Sequence, residues 1–332
     1  MNASPRHASS RLMAGLLLAL APLLLGWGAH LPQSLSTLDD PRIDRDRLLH
    51  HLSVLAHDSM EGRRTGSPQN EQARQYLLQT LDELGLPEVN GDREHSFQFT
   101  NNRDGQEYTG VNVLGMVQGT GAPDEFLVVT AHYDHLGVVD GEIFNGADDN
   151  GSGTAALLEL ARYFVEHPPE HSILFVFFDA EEMGLQGARA FINDPPVPLD
   201  QFLMNINLDM VSRNEADELY AVGTYHYPFL TPLVEEVAEG AALHLLRGHD
   251  APDLPPGDDW TMASDHGPFH ERGVPFIYFG VEDHPGYHHP SDTFENITPD
   301  FYHRAAETIL EFILVADRAG ASLRVFRDSG EE

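Results

Sequence analysis

Apolar residues follow two different spacings along the chain. In residues 70–84 they recur every three or four positions up to Gly85, and this period predicts a helix that ends at the glycine. Residues 126–131 and 172–178 are apolar at nearly every position, which is typical of strands buried on both faces of a sheet. The two kinds of segment alternate through the second half of the chain. That alternation predicts parallel strands joined by helices.

The same reasoning predicts six strands and six helices. The strands are expected at residues 95–100, 111–117, 126–131, 172–178, 202–208 and 275–279. The helices are expected at residues 47–55, 70–84, 154–165, 184–191, 231–241 and 301–316. We therefore expect an α/β fold, doubly wound, with a mostly parallel mixed sheet and helices on both faces. Ligands of such folds bind at the carboxyl ends of the strands.

The N-terminal segment has the pattern of an export signal. Arg6 and Arg11 precede an apolar run, residues 12–25, which is short for a membrane span and contains Pro22. We expect residues 1–29 to be a signal peptide, or alternatively an uncleaved N-terminal anchor, and the protein to be periplasmic or secreted. Residues 30–46 read as a linker, 47–320 as a single domain and 321–332 as an acidic C-terminal tail.

Charge narrows the range of partners. The chain has 53 acidic residues against 19 basic ones, all of them arginine, and a net charge of −34. Such a surface repels nucleic acid and anionic lipid, so we expect no nucleic-acid partner and no membrane contact beyond the N-terminal segment. The chain has no cysteine, which excludes disulfides, thiolate nucleophiles and thiolate metal ligands.

Polar residues follow several of the predicted strands, and they are the types that bind divalent metals. They are His132, Asp134, His135, Asp148, Asp149, Asp179, Glu181, Glu182, Asp209, His288, His289 and Asp292. Each short motif alone is more typical of a surface turn or a helix cap. Together they lie at successive strand ends, which a parallel sheet brings to one edge. Imidazole and carboxylate without thiolate suit zinc, cobalt or manganese, and a cation would offset the repulsion among clustered carboxylates.

Five motifs resemble one family in sequence, order and spacing. AHYDHLG, NGADDNGSG, FFDAEEMGLQGA, NLDM and YHHPSDTFENI resemble the bacterial dizinc aminopeptidases of the M28 metallopeptidase family, over residues 48–316. The resemblance implies a zinc-exopeptidase fold, peptide substrates and two divalent metal ions, with Zn²⁺ expected. It also implies five metal ligands, which are His132, Asp149, Glu182, Asp209 and His288.

The resemblance assigns roles within this set. Asp149 would bridge both ions and precede a cis peptide bond to Asn150. His132 and Asp209 would bind one ion, and Glu182 and His288 would bind the other.

The catalytic groups follow from the same resemblance. Glu181 would act as the general base that takes a proton from a metal-bound water and so provides the metal-bridging hydroxide. Asp134 would orient the His132 imidazole, and Asp292 would support His288. Asp179 has no expected role beyond that of a structural acid.

The predicted function is a metal-dependent exopeptidase that removes N-terminal residues from peptides. An acidic site suits the α-ammonium group of a substrate, although Arg213 or Arg272 would suit the carboxylate that an M28-type carboxypeptidase binds. A glutaminyl cyclase with one zinc ion is an alternative on the same fold, and a non-catalytic binding ectodomain is an alternative of another class. The M20 peptidases use a similar ligand order, but no inserted lid domain is visible between Glu182 and His288.

Overall fold

The computed structural model describes residues 41–255 and 257–329. The strands are β1 Glu94–Thr100, β2 Glu107–Val117, β3 Ala122–His132, β4 Gly137–Val139, β5 Glu142–Phe144, β6 His171–Phe178, β7 Phe202–Leu208, β8 Glu218–Val222, β9 His244–Arg247 and β10 Phe276–Gly280. The α-helices are α1 Arg45–Leu55, α2 Pro68–Leu84, α3 Gly153–Glu166, α4 Gln186–Asn193, α5 Thr231–Gly240, α6 His266–Glu271, α7 Pro299–Arg318 and α8 Gly320–Ser329. In this part of the chain, no helix combines the length and the apolar character that a membrane span requires.

Eight strands form one mixed sheet in the order β1-β2-β6-β3-β7-β10-β8-β9. The four central strands β6, β3, β7 and β10 are parallel to one another. Strands β2 and β8 pair antiparallel with the outer members of this group. The carboxyl ends of the four central strands therefore lie side by side along one edge of the sheet, where doubly wound folds bind their ligands.

Helices cover both faces, as the apolar strands predicted. On one face, the larger hydrophobic cluster packs α1, α2, α3, α5 and α7 against the sheet, with residues such as Leu158 and Ile309 fully buried. On the other face, α4 and α6 contribute Phe191 and Phe269 to a second cluster with Phe178 and Phe202. Burial on both sides explains why β6 is apolar throughout.

Most predicted elements are confirmed, but several boundaries change. The expected helix at 184–191 begins only at Gln186, because Gly184 and Leu185 have φ angles of 98° and 60°. Strands β4, β5, β8 and β9 and helix α6 were not predicted. They are short, and strands of three to five residues carry little periodicity.

The ends of the chain also differ from expectation. The prediction of a C-terminal tail is wrong for the part that the structure describes, because helix α8 extends to Ser329. This helix buries Leu323 and pairs Arg324 with Glu125 at 3.0 Å. The last residues of the predicted linker belong to the domain, because Arg45 begins α1 and Ile43 is fully buried. The predicted signal peptide or anchor, residues 1–29, lies outside the described residues.

Candidate metal centre

Four of the five predicted ligands lie at, or after, the carboxyl end of a central strand. His132 is the last residue of β3, and Asp209 directly follows β7. Glu181 and Glu182 follow β6, and His288 lies in the loop after β10. Asp149 lies in the turn before α3, and its peptide bond to Asn150 is cis, as expected. The fold therefore brings together residues that are up to 156 positions apart in the sequence.

The first group of donor atoms surrounds the His132 imidazole. Nε2 of His132 lies 3.3 Å from Oδ1 of Asp209 and 3.5 Å from Oδ1 of Asp149. The three side chains are almost inaccessible to solvent. Burial lowers the pKa of His132, but the carboxylates of Asp209 and Glu181 outweigh it and raise the pKa well above its ordinary value. This group is therefore a strongly negative environment for a cation.

The second group lies on the other side of Asp149. Nε2 of His288 lies 3.1 Å from Oδ2 of Asp149 and 3.3 Å from Oε2 of Glu182. Nδ1 of His135 lies 2.8 Å from Oε1 of Glu182. Burial lowers the pKa of His288, but the two carboxylates outweigh it and raise it to about 10. The same imidazoles overcome the effect of burial on Glu182 and lower its pKa.

Asp149 joins the two groups because each of its carboxylate oxygens faces one of them. Oδ1 is the atom near His132, and Oδ2 is the atom near His288. Burial and the neighbouring Glu182 carboxylate raise the pKa of Asp149. This is the arrangement that the resemblance implied for a bridging ligand.

Several buried polar atoms in the cluster form no hydrogen bond of good geometry with a described residue, although some of them face one another at 2.8 to 3.3 Å. They are Nε2 of His132, both ring nitrogens of His135, Oε1 of Glu182 and Oδ1 of Asp209. Buried polar groups of folded proteins are normally paired, so convergent unpaired donors need another explanation. Imidazole nitrogens and carboxylate oxygens gathered within 4.8 Å of one another are a donor set for a divalent metal. The residues present therefore fit the metal that the sequence implied.

Glu181 also offers a carboxylate oxygen to the first group, with His132 and Asp209, but it lies farther from the nearest imidazole than Glu182 does. Its Oε2 is 4.0 Å from Nε2 of His132. Burial raises the pKa of Glu181 well above its ordinary value, and nearby carboxylates add to the effect. A bound cation acts in the opposite direction and favours the carboxylate form.

Asp134 contacts both the His132 imidazole and Glu181. Nδ1 of His132 contacts the backbone oxygen of Asp134 at 3.2 Å, while the nearest carboxylate oxygen is 3.6 Å away. The carboxylate instead accepts hydrogen bonds from the backbone N–H of Glu181 at 3.0 Å and from the Thr65 hydroxyl at 3.2 Å. Asp134 therefore positions both the imidazole and the glutamate.

Asp179 lies behind the site as a structural acid. It accepts hydrogen bonds from Asn70, Thr65 and the backbone N–H groups of Val111 and Ala180. Burial and the neighbouring Asp134 raise its pKa to about 6.

The expectation that Asp292 supports His288 is wrong. Its carboxylate accepts hydrogen bonds from the backbone N–H groups of Asp148, at 2.9 and 3.1 Å, and Asp149, at 3.0 Å. These bonds saturate the carboxylate on the side of the Asp149 turn, so it fixes the backbone of the bridging residue instead. Of the two adjacent histidines, His288 faces the cluster and His289 bonds to Ser291.

Three further residues contribute to the site but received no role from the sequence. The His135 ring is fully buried and packs against the backbone of Gly146, where a Cβ atom would collide with it. Both carboxylate oxygens of Asp265 are buried without a hydrogen-bond partner in the described structure. Arg63 is completely buried and donates to four backbone oxygens, including those of Tyr133 and Gly146. His135 lies in the motif HYDHLG, Asp265 in SDHGPF and Arg63 in EGRRTG, and none of these motifs by itself indicates the role of the residue.

A cavity of about 260 Å³ opens onto the cluster. Its walls include apolar side chains of Leu185, Met210, Trp260 and Tyr278 beside the ligands. A larger groove of about 940 Å³ runs along α2. Neither group of metal donors lines that groove, so we assign the chemistry to the smaller cavity.

Comparison with known proteins agrees with this geometry. Aminopeptidase YwaD from Bacillus subtilis is 32% identical over 248 residues, covering 69% of this chain and 51% of YwaD. A vacuolar membrane protease from Schizosaccharomyces japonicus is 34% identical over 166 residues, covering 46% of this chain and 18% of the protease. The chain thus spans about half of the length of the first relative and less than a fifth of the second.

Solved structures support the fold. A glutaminyl cyclase from Porphyromonas gingivalis has a TM-score of 0.69 and 22% identity, covering 82% of this chain and 99% of the cyclase. BSAP, a zinc aminopeptidase from Bacillus subtilis, has a TM-score of 0.63 and 19% identity, covering 82% of this chain and 95% of BSAP. At these identities the similarity shows the fold alone. The sequence profile of peptidase family M28 matches residues 112–313, which are more than half of this chain. The chain therefore belongs to peptidase family M28.

Proposed function

We propose that this protein is a metal-dependent aminopeptidase that uses two divalent ions, with zinc as the expected metal. The observation that carries the proposal is the division of the Asp149 carboxylate, whose two oxygens face separate groups of imidazole and carboxylate donors. His132 and Asp209 would hold one ion. Glu182 and His288 would hold the other. The similarity to an aminopeptidase of Bacillus subtilis supports the same reading.

We assign the proton transfer to a side chain of the protein, Glu181. Bound divalent ions lower the pKa of a water molecule and polarise a carbonyl group. Glu181 accepts the proton of the attacking water and returns it to the leaving amine, as a positioned carboxylate can. The hydrogen bond from its backbone N–H to Asp134 fixes the start of its side chain. The carboxylates around the cavity favour a substrate that carries an α-ammonium group.

The test is a substrate panel with a measurement of bound metal. We expect hydrolysis of peptides with a free N-terminus, no hydrolysis of N-acetylated peptides, loss of activity with a chelator and two equivalents of metal in the active protein. One equivalent of metal, with release of ammonia from an N-terminal glutaminyl peptide, would indicate a cyclase and refute the proposal. Cleavage of N-blocked peptides at the C-terminus would indicate a carboxypeptidase.

A further inference from the structure

The turn between β1 and β2 holds Arg103 at the cavity. Asn101 accepts a hydrogen bond from the backbone N–H of Arg103 at 2.9 Å. Asp104 accepts hydrogen bonds from the Tyr108 hydroxyl and from the backbone N–H of Gln106, both at 2.9 Å. The backbone of the turn is thereby fixed by its own side chains. Arg103 is exposed at its tip and also lines the 260 Å³ cavity with Glu181 and Glu182.

Arg103 differs from most exposed arginines of this acidic chain. Arg45, Arg189 and Arg247 each form an ion pair with a carboxylate at 2.7 to 3.0 Å. The guanidinium of Arg103 has no ion pair or hydrogen bond with any described residue, although the chain has 53 acidic residues. A guanidinium presents a planar set of donors that matches a carboxylate in two parallel hydrogen bonds. Arg103 is therefore free to bind an anionic group that enters the cavity.

The arginines that the sequence suggested for this task are placed elsewhere. Arg272 donates to Asn193 at 2.9 Å, and Arg213 packs against Gly286. Neither of these arginines lines the cavity. Among the described residues, Arg103 is the sole arginine in the cavity wall. Of the other ionisable groups of the cavity wall, Asp149, Glu182, Asp209 and His288 belong to the metal donors, and Glu181 and Asp283 are carboxylates. Among the described residues, Arg103 is therefore the cationic side chain of this wall that does not belong to the metal cluster, and it can bind a substrate carboxylate that does not reach the metals.

The size of the cavity limits where that carboxylate lies in the substrate. Pockets for drug-sized ligands have volumes of about 300–1,000 Å³, so 260 Å³ suits one or two amino-acid residues. The apolar wall at Leu185, Met210 and Trp260 suits a substrate side chain. Arg103 is exposed, which puts it at the mouth, where the leaving part of the substrate emerges.

We propose that Arg103 binds a carboxylate of the substrate, and that the position of Arg103 favours the α-carboxylate of a dipeptide. This inference rests on the proposed aminopeptidase function. It implies that the enzyme acts preferentially on very short peptides with a free C-terminus.

The test compares each dipeptide with its own C-terminal amide. We expect the parent protein to favour the free acid about three- to tenfold in kcat/KM, as one partly exposed charged pair allows. Arg103→Ala should reduce this ratio to about one, and Arg103→Lys should restore part of it. Arg272→Ala removes the same charge outside the cavity and should keep the parent ratio. A second pair of C-terminally amidated substrates differs only in an N-terminal glutamyl or glutaminyl residue. This pair tests whether Arg103 binds a side-chain carboxylate of the substrate instead of the α-carboxylate.

A parent ratio near one, or an unchanged ratio in Arg103→Ala, would overturn the proposal. If Arg103→Ala lowers only the preference for the N-terminal glutamyl substrate, the dipeptide assignment is wrong. Calorimetric binding of the same acid and amide pair to the metal-loaded parent and Arg103→Ala separates this inference from the proposed function. Preferential binding of the acid that depends on Arg103, without hydrolysis of any peptide, would uphold the carboxylate site and refute the aminopeptidase.

Discussion

The adjacent residues Glu181 and Glu182 should fail in different ways when each is changed to glutamine. Oε1 of Glu182 lies 2.8 Å from His135, and its Oε2 lies 3.3 Å from His288, so this side chain is within the donor cluster. The Glu181 carboxylate is 4.0 Å from its nearest imidazole, His132. Glu181→Gln therefore removes a proton acceptor and leaves the five proposed ligands in place. Glu182→Gln replaces an anionic ligand with a neutral one.

The expected magnitudes differ accordingly. Loss of general acid-base catalysis lowers turnover by about 10²–10⁴-fold, which corresponds to about 3–5 kcal/mol of transition-state stabilisation. Glu181→Gln should show this loss with little change in KM and with both ions retained. Substitutions of groups that only support a metal ligand reduce metal affinity by about 10–100-fold. Glu182→Gln should lower the affinity for one ion by at least that factor, and excess metal should partly restore its activity.

Metal content after dialysis and steady-state kinetics on the two variants provide the assay. Glu295→Gln, in the loop before α7, is a control that also removes one carboxylate. It should keep both the metal and the activity. If Glu181→Gln loses metal while Glu182→Gln keeps it, the two assignments are reversed. If both variants match the parent, the catalytic site lies elsewhere.

Three further predictions concern the groups around the ligands. His135→Gln should weaken the binding of one metal ion about tenfold or more in a chelator competition, because His135 contacts Glu182. The control His289→Gln should keep the parent affinity, since His289 bonds to Ser291. Equal metal affinities of the two variants would exclude His135 from the site. Asp292→Ala should leave the backbone N–H groups of Asp148 and Asp149 unpaired, and each should lower the free energy of unfolding by about 1–3 kcal/mol. A urea titration measures this loss, with Ser291→Ala as the control. A loss no larger than that of the control would contradict the prediction. Burial raises the pKa of Asp179 and Asp292 to about 6, so the folded protein binds these protons more tightly than the unfolded chain does. Their contribution to stability is present below about pH 4 and is lost as the pH rises through 6. Calorimetry of the metal-free protein should therefore show a melting temperature that falls between these pH values. The decrease should be smaller in Asp179→Asn.

The sequence was sufficient for the central strands and for the residues at their ends. Strands β3, β6 and β7 are apolar over most of their length because both faces are covered, and this produces a strong pattern. Because parallel strands end at one edge, the side chains that follow them were expected to meet. His132, Glu181 and Asp209 do so.

Contacts between distant loops were harder to predict. The sequence offers His135 as a candidate donor but assigns it no role, because the direction of a side chain in a loop is not set by its spacing from His132. Its place is set by Gly146, whose missing side chain allows the ring to pack on the backbone. Asp265 belongs to the long loop before α6, where no period restricts the side-chain direction.

The corrected role of Asp292 shows what limits such predictions. A carboxylate four residues after a histidine ligand suggests a local hydrogen bond to that imidazole. In the fold, however, two unpaired backbone N–H groups before α3 compete for the same carboxylate, and burial makes leaving them unpaired costly. Asn150 closes the other side of this turn by donating to the backbone oxygen of Leu208 at 2.8 Å. The turn is thus held by Leu208, which is 58 residues from Asn150, and by Asp292, which is 143 residues from Asp149, and for that reason no local pattern around Asp149 contains its geometry.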